Sequence, residues 1–452
     1  LKIIRDRLTR LGSDHKRIAR GAMRVAFFLL LGKFVGAFKE MAVAYRYGIS
    51  DVVDAYQFTL TMAGWLPVTA IGVLSVVLIP VLVKLKRQSQ QTRERFLQEL
   101  FGVTLAVGAL LAVGLYFAWP WVLEWVGADL TANTRAMSQE LMLAFAPVAL
   151  LTLVAGVSSA RLRAHERHIN TLLDSIPALL ILVWVMLAAT AADVGPLLWG
   201  TLVGYMIQSA WLLWLASRAD NVGATPRLGF QSPYWPQLVA AAGIMLVGQV
   251  AMSVVGPLDQ YTAAELGRNA NATLGYANRI LALLLGLGAV SVGRAALPVL
   301  SDIHSRGDAV QGRRMALKWS VLMLGMGMAG ALVGWLLAPW GVSLLFERGA
   351  FTEQDTLRVA GVFRWGLLQM PFYFGVLVLV QLLASQNRYR IMAVIALGNF
   401  ALKALLNPIL GSAMGLQGVM LATACMYALS YGCYVLAALK SVANEAPSGP
   451  AQ

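Results

Sequence analysis

Long uninterrupted runs of apolar residues alternate with short charged clusters along this chain. Each run extends for about 20 residues or more, the length an α-helix needs to cross a hydrocarbon core, and none has the apolar–polar alternation of a barrel strand. Read between the charged clusters, the pattern predicts about 12 spanning helices. They cover residues 22–45, 52–83, 96–118, 136–160, 169–190, 196–217, 236–263, 270–301, 315–338, 357–384, 390–411 and 415–439. Lys and Arg collect in alternate connectors: Lys2, Arg5, Arg7 and Arg10 before the first span, Lys84, Lys86, Arg93 and Arg95 after the second, Arg161, Arg163 and Arg167 after the fourth, and Arg313 and Arg314 after the eighth. The positive-inside rule then predicts that both termini are cytoplasmic. The basic opening stretch lacks a short apolar region with a small-residue cleavage site, so it is expected to be an uncleaved segment.

Composition agrees with that pattern. Of 452 residues, 58% are hydrophobic and only 13% charged, against about a quarter charged in soluble domains. Soluble enzymes, disordered chains and disulfide scaffolds are excluded. The net charge of +14 needs no nucleic-acid partner, because anionic headgroups and helix orientation account for it. Cys425 and Cys433 share one apolar run without metal or disulfide spacing. His15, His165, His168 and His304 all fall in polar connectors. No catalytic or metal constellation is in view, so neither an enzyme nor a metal or organic cofactor is expected.

A weak repeat runs through the chain at an offset of roughly 220 residues. Val35-Gly36-Ala37-Phe38-Lys39-Glu40 aligns with Val255-Gly256-Pro257-Leu258-Asp259-Gln260, Tyr56 with Tyr276, and Ile79-Pro80-Val81-Leu82 with Leu297-Pro298-Val299-Leu300. Six spans separate the copies, so both insert with the same orientation. The expected architecture is two six-helix lobes related by a pseudo-two-fold axis along the membrane normal, with a hydrated cavity. The divisions follow as a basic segment 1–21, an N-lobe 22–217, a linker 218–235, a C-lobe 236–439 and a tail 440–452.

Charges inside spans are costly, by about 2.5–3.5 kcal/mol at mid-bilayer, and by default face a cavity or a partner. Lys33, Gly36 and Glu40 share one stripe of the first span, with Lys39 adjacent. Asp54 opens the second and Asp259 lies late in the seventh. Arg279 and Arg294 lie on the eighth, about 22 Å apart along one wall. Asn399, Lys403 and Asn407 recur one turn apart on the eleventh. Pairing of Lys39–Glu40 with Asp259 and simple interhelical bonding by Asn399 are the plainer alternatives. Pro67, Pro147, Pro177, Pro257, Pro371 and Pro408 interrupt spans, and Gly200/Gly204 and Gly330/Gly334 are small-residue pairs for close helix contact.

Leu344-Leu345-Phe346-Glu347-Arg348-Gly349-Ala350-Phe351-Thr352 followed by Asp355-Thr356 resembles the external-loop motif of the MurJ/MviN family of the MOP exporter superfamily. Gly36 to Glu40, Tyr47-Gly48, Asp54-Ala55-Tyr56 and Gly275-Tyr276-Ala277-Asn278-Arg279 resemble the same family along nearly the whole chain. The resemblance implies an alternating-access flippase of the bacterial inner membrane, whose partner is an undecaprenyl-pyrophosphate-linked glycan. It implies a monomer driven by membrane potential, H+ or Na+. Lys39, Arg279 and Lys403 are then expected to bind the pyrophosphate, with Lys33, Asn399 and Arg294 assisting. Glu40, Asp54 and Asp259 are expected to balance these cations or to couple transport. The family's basic residues on the second span fall here on Pro67-Val68-Thr69, and its arginine–aspartate pair on the first span reads Lys39–Glu40. The pair keeps its charge but loses a bidentate guanidinium fork. The chain also stops after the twelfth span, where lipid II flippases usually add two more helices. These departures rank a polysaccharide repeat unit ahead of lipid II as cargo. A MATE-like drug/cation antiporter is a more distant alternative, since the intramembrane balance here is positive.

Overall fold

A computed structural model describes residues 13–440 except 87, 166, 168, 189, 191, 287–308 and 387, with side chains from residue 30 onward except those of 76, 244, 247 and 309. The described residues form helices and no strands. In chain order these are α1 Ser13–Tyr47, α2 Asp51–Leu85, α3 Gln90–Trp125, α4 Ala132–Ala164, α5 Asn170–Leu173, α6 Ile176–Leu187, α7 Gly195–Asp220, α8 Trp235–Ser253 and α9 Val255–Glu265. Next come α10 over 270–286, then α11 Ala309–Phe346, α12 Glu353–Leu367, α13 Met370–Ser385, α14 Tyr389–Met414 and α15 Leu416–Lys440. Among the described residues, eight helices are long and apolar enough to cross a membrane, or ten if each bent pair forms one span. Helix α1, described with side chains only from residue 30, is not among them. The eighth predicted span is described only as far as residue 286, so Arg294 lies outside the described residues.

The expected spans therefore appear as helices, and three of them are broken. The fifth divides into α5 and α6, the seventh into α8 and α9, and the tenth into α12 and α13. Pro177 and Pro371 stand in the first turn of α6 and α13, where the missing N–H costs no hydrogen bond. The α12–α13 pair bends by 41°. Pro67, Pro147 and Pro408 instead lie inside continuous helices.

The chain divides into two compact units that cut across the sequence halves. The first holds residues 1–43, 66–118 and 141–242; the second holds 44–65, 119–140 and 243–452. In the first unit, α6 and α7 meet closely at Gly200 and Gly204: a Cβ there would come within 2.7 Å of Ile181 Cα and 2.6 Å of Pro177 Cα. The segment after α7 is tied to α3. The Arg227 N–H donates to Gln98 O at 3.0 Å, and the buried Glu99 carboxylate accepts from the Ser232 N–H and from Trp235 Nε1 at 3.1 and 2.8 Å. A second polar knot closes α4 on α7: Arg161 donates to Asp220 at 2.7 Å, and His165 Nε2 lies 2.6 Å from the same carboxylate. In the second unit, α11, α13, α14 and α15 share an apolar core built around Leu379, Leu382, Leu383 and Ile395.

Candidate functional site

In the first unit, the charged stripe of α1 is a partly buried feature. Lys39 and Glu40 are each 6% exposed and form an ion pair of 2.6 Å. Lys33 is half-buried, and a side chain added at Gly36, between them along the helix, would meet no described residue within 4 Å. Open space beside two lysines and a carboxylate is compatible with an anionic ligand. Thr69 of α2 is buried while Val68 is exposed.

The second unit holds two further clusters. The first joins residues from both halves of the sequence. Asp51 and Asp54 stand on the first turn of α2, and the residues leading into α10 come to meet them. Arg268 clamps Asp51 with two parallel hydrogen bonds of 2.9 and 3.0 Å, and Asn133 Nδ2 adds a third at 3.2 Å. The hydrogen bonds and charge of Asp51 raise the Arg268 pKa further above its ordinary value. Asp54 accepts the Ala272 N–H at 2.8 Å, one of the first N–H groups of α10 that have no partner within their own helix. The Tyr276 hydroxyl donates to Gly48 O at 2.9 Å.

The loop 344–352 completes this cluster and explains its motif. The Ala350 N–H donates to Tyr45 O at 2.8 Å. Gly48 and Gly349 both have positive φ, at 56° and 63°. A Cβ on Gly48 would sit 2.4 Å from Ala350 O, and one on Gly349 2.3 Å from Tyr45 O, so only glycine suits either position. Phe351 packs its ring against Tyr276 and Phe346, at 5.3 and 5.7 Å between centroids. Thr352 caps α12 in a reciprocal box with Asp355. The motif thus builds a seal between the turn after α1 and the start of α10. Sequence reasoning singled out the loop and Gly48, but not Tyr45 or the neighbouring Asp51–Arg268 pair. The Tyr47-Gly48 pair was the available signal.

The other cluster gathers three of the expected site residues, Lys403, Asp259 and Asn399. Lys403 is fully buried. Its ammonium meets Asp259 Oδ1 at 2.8 Å, Val419 O at 2.8 Å and the Thr423 hydroxyl. An ammonium has three N–H donors, so none is left for a phosphate. Asp259 spends its charge on Lys403 and on Asn407 Nδ2 at 2.8 Å, while Lys39 has Glu40 as its ion-pair partner. Asn399 is buried and donates to Ser430 at 3.0 Å, an interhelical bond between α14 and α15. Asp54, likewise, holds the start of α10. Among the described residues, Arg279 alone of the expected C-lobe ligands is half-buried, on α10.

Comparison with known proteins is consistent over nearly the whole chain. A family model described as lipid II flippase MurJ matches residues 43–448. A relative from Synechocystis, named probable lipid II flippase MurJ, is 26% identical over 434 residues, covering 91% of this chain and 80% of its own length. One of the same name from Bdellovibrio bacteriovorus is 32% identical over 229 residues, half of this chain, and the match spans only 43% of that relative. Among solved structures, a lipid II flippase MurJ in an inward closed conformation aligns with a TM-score of 0.80 at 19% identity, covering 93% of this chain and 88% of its own. An inward-facing MATE multidrug transporter of the MOP superfamily aligns at 0.71 and 12% identity, covering 94% and 96%.

Proposed function

The chain belongs to the lipid II flippase MurJ family, and from that premise we propose that it carries lipid II, an undecaprenyl-pyrophosphate-linked saccharide, across the bacterial inner membrane. It is a multi-pass membrane transporter and not an enzyme. The observation that carries the cargo assignment is the family match over residues 43–448 together with a relative of that name aligned over 91% of this chain. It reverses the order given by sequence reasoning, which set a polysaccharide repeat unit first. That second reading keeps one observation in its favour: Pro67-Val68-Thr69 of α2 offers no cation.

In the proposed cycle both termini are cytoplasmic, which makes the 344–352 loop and its seal periplasmic. Lys39 and Lys33 in the first unit are ligands of the pyrophosphate, as is Arg279 in the second, each taken by itself, and Glu40 neutralises Lys39 while no cargo is bound. Arg294 guides the headgroup in from the cytoplasmic side. The prenyl tail stays in lipid while the saccharide crosses in water. Contacts of Tyr45, Gly48, Asp51 and Asp54 with Ala350, Tyr276, Arg268 and Ala272 close the periplasmic side and part when cargo leaves. An inside-negative potential assists outward movement of the anionic headgroup by about 2.3 kcal/mol per charge per 100 mV.

Complementation tests the cargo. In a strain depleted of its own lipid II flippase, this chain is expected to restore growth, and Arg279→Ala to fail while still present in the membrane. Failure of the wild-type chain there, with rescue of a strain lacking a polysaccharide repeat-unit flippase, would replace this reading with the second.

A further inference from the structure

The polar cluster of α9, α14 and α15 has more oxygen than an ion pair requires. Around Lys403 Nζ stand a carboxylate oxygen of Asp259, the main-chain carbonyl of Val419 and the hydroxyl of Thr423. Asn407 is fully buried; its Nδ2 donates to Asp259 Oδ1 and to Thr262 Oγ1 at 2.8 and 3.2 Å, which leaves its Oδ1 buried without a hydrogen-bond partner among the described residues. Asn399, one turn to the other side of Lys403, likewise has a buried Oδ1 that accepts no hydrogen bond from them.

A carboxylate, a carbonyl and a hydroxyl oxygen about one positive centre are ligands of the kind that hard metal cations take. An ammonium serves only three acceptors, whereas a spherical ion serves more, and the unserved amide oxygens lie one helical turn to either side of the lysine. One carboxylate balances one positive charge, so the set suits a monovalent ion. We propose that Lys403 is the tethered occupant of an alkali-metal site. Its ammonium holds the position of a free Na+ or K+, and the protein carries this charge covalently instead of drawing it from the medium. Resting on the flippase reading for this clause alone, transport does not use Na+ at this position.

The test is thermal unfolding of the purified full-length chain, followed by its 13 tryptophans, in NaCl, KCl or choline chloride at equal ionic strength. The wild type is expected to melt at one temperature in all three. Lys403→Ala is expected to melt earlier in choline and to recover saturably with Na+ or K+, and the recovery is expected to disappear in Lys403→Ala/Asp259→Asn. A saturable Na+ response of the wild type would overturn the proposal, and so would a folded Lys403→Ala that melts alike in all three salts. If Lys403→Ala folds in neither sodium nor choline, Lys403→Ser is compared in the same salts, and its failure in both counts against the proposal. Melting does not depend on flipping, so the salt response decides the proposal whether or not the chain transports lipid II.

Discussion

Replacing Tyr276 with phenylalanine removes one oxygen from the seal and leaves its apolar packing in place. The ring contacts with Phe346 and Phe351 persist, but Gly48 O loses the hydroxyl that reaches it from α10, a 2.9 Å bond at a site where Tyr276 is fully buried. Stranding a buried acceptor costs about 1–3 kcal/mol. In the proposed cycle this bond exists only while the periplasmic side is closed, so the whole cost falls on the closed state. At about 1.4 kcal/mol per decade, the open population rises roughly 5- to 150-fold. The assay uses a chain whose Cys425 and Cys433 are replaced by alanine, with a reporter at Asn271→Cys, a buried position beside the start of α10. While the open state is rare, the rate of labelling by a membrane-impermeant maleimide is proportional to its population, and should rise by that factor in Tyr276→Phe. A second reporter, Ser320→Cys, buried within the α11–α13 contact, should stay unreactive. An unchanged Asn271→Cys rate would refute the reasoning. Equal rises at both positions would refute it too, because general loosening would then be the cause.

Three further outcomes follow from the same geometry. Gly349→Ala places a methyl group 2.3 Å from Tyr45 O in a left-handed backbone; it is expected to raise labelling of the Asn271→Cys reporter more than Tyr276→Phe does. Asp220→Ala leaves the buried Arg161 guanidinium without its carboxylate, at a cost of about 3–5 kcal/mol; a clear drop in the unfolding midpoint is expected, partly recovered in Asp220→Ala/Arg161→Met. Thr352→Ala removes the cap of α12, costing about 0.5–2 kcal/mol; hydrogen exchange is expected to speed up over residues 353–356 and to stay unchanged in α14.

Hydropathy made the helices legible because a bilayer punishes any other backbone, and the predicted limits of α2, α7, α14 and α15 agree with the structure to within three residues. The breaks were only half visible. Proline marked Pro177 and Pro371, where new helices begin, but equally marked Pro67, Pro147 and Pro408, where the helix runs on. A lone proline does not say whether its neighbours re-satisfy the carbonyl it frees. The site was less legible still. Depth in a span identifies Lys403 as a charge that needs an explanation, yet says nothing of which helix faces it. Asp259, Val419 and Thr423 are brought to it by folding alone, and they turn an expected phosphate ligand into an internal ion pair. Asp51 and Arg268 escaped notice for the same reason: 217 residues separate them in the chain, and each alone looks like an ordinary charge at a helix end.

Under the proposed function Lys39 and Arg279 are each ligands of a lipid-linked pyrophosphate, and direct binding tests this most sharply. Native mass spectrometry of the purified chain with lipid II and with undecaprenyl monophosphate compares the two headgroups at equal lipid length. The account predicts a preference for lipid II in the wild type that is lost in Lys39→Met/Glu40→Gln and in Arg279→Met, with Lys403→Met/Asp259→Asn retaining it. Equal retention of lipid II by the wild type and by the Arg279 and Lys39/Glu40 variants would contradict it.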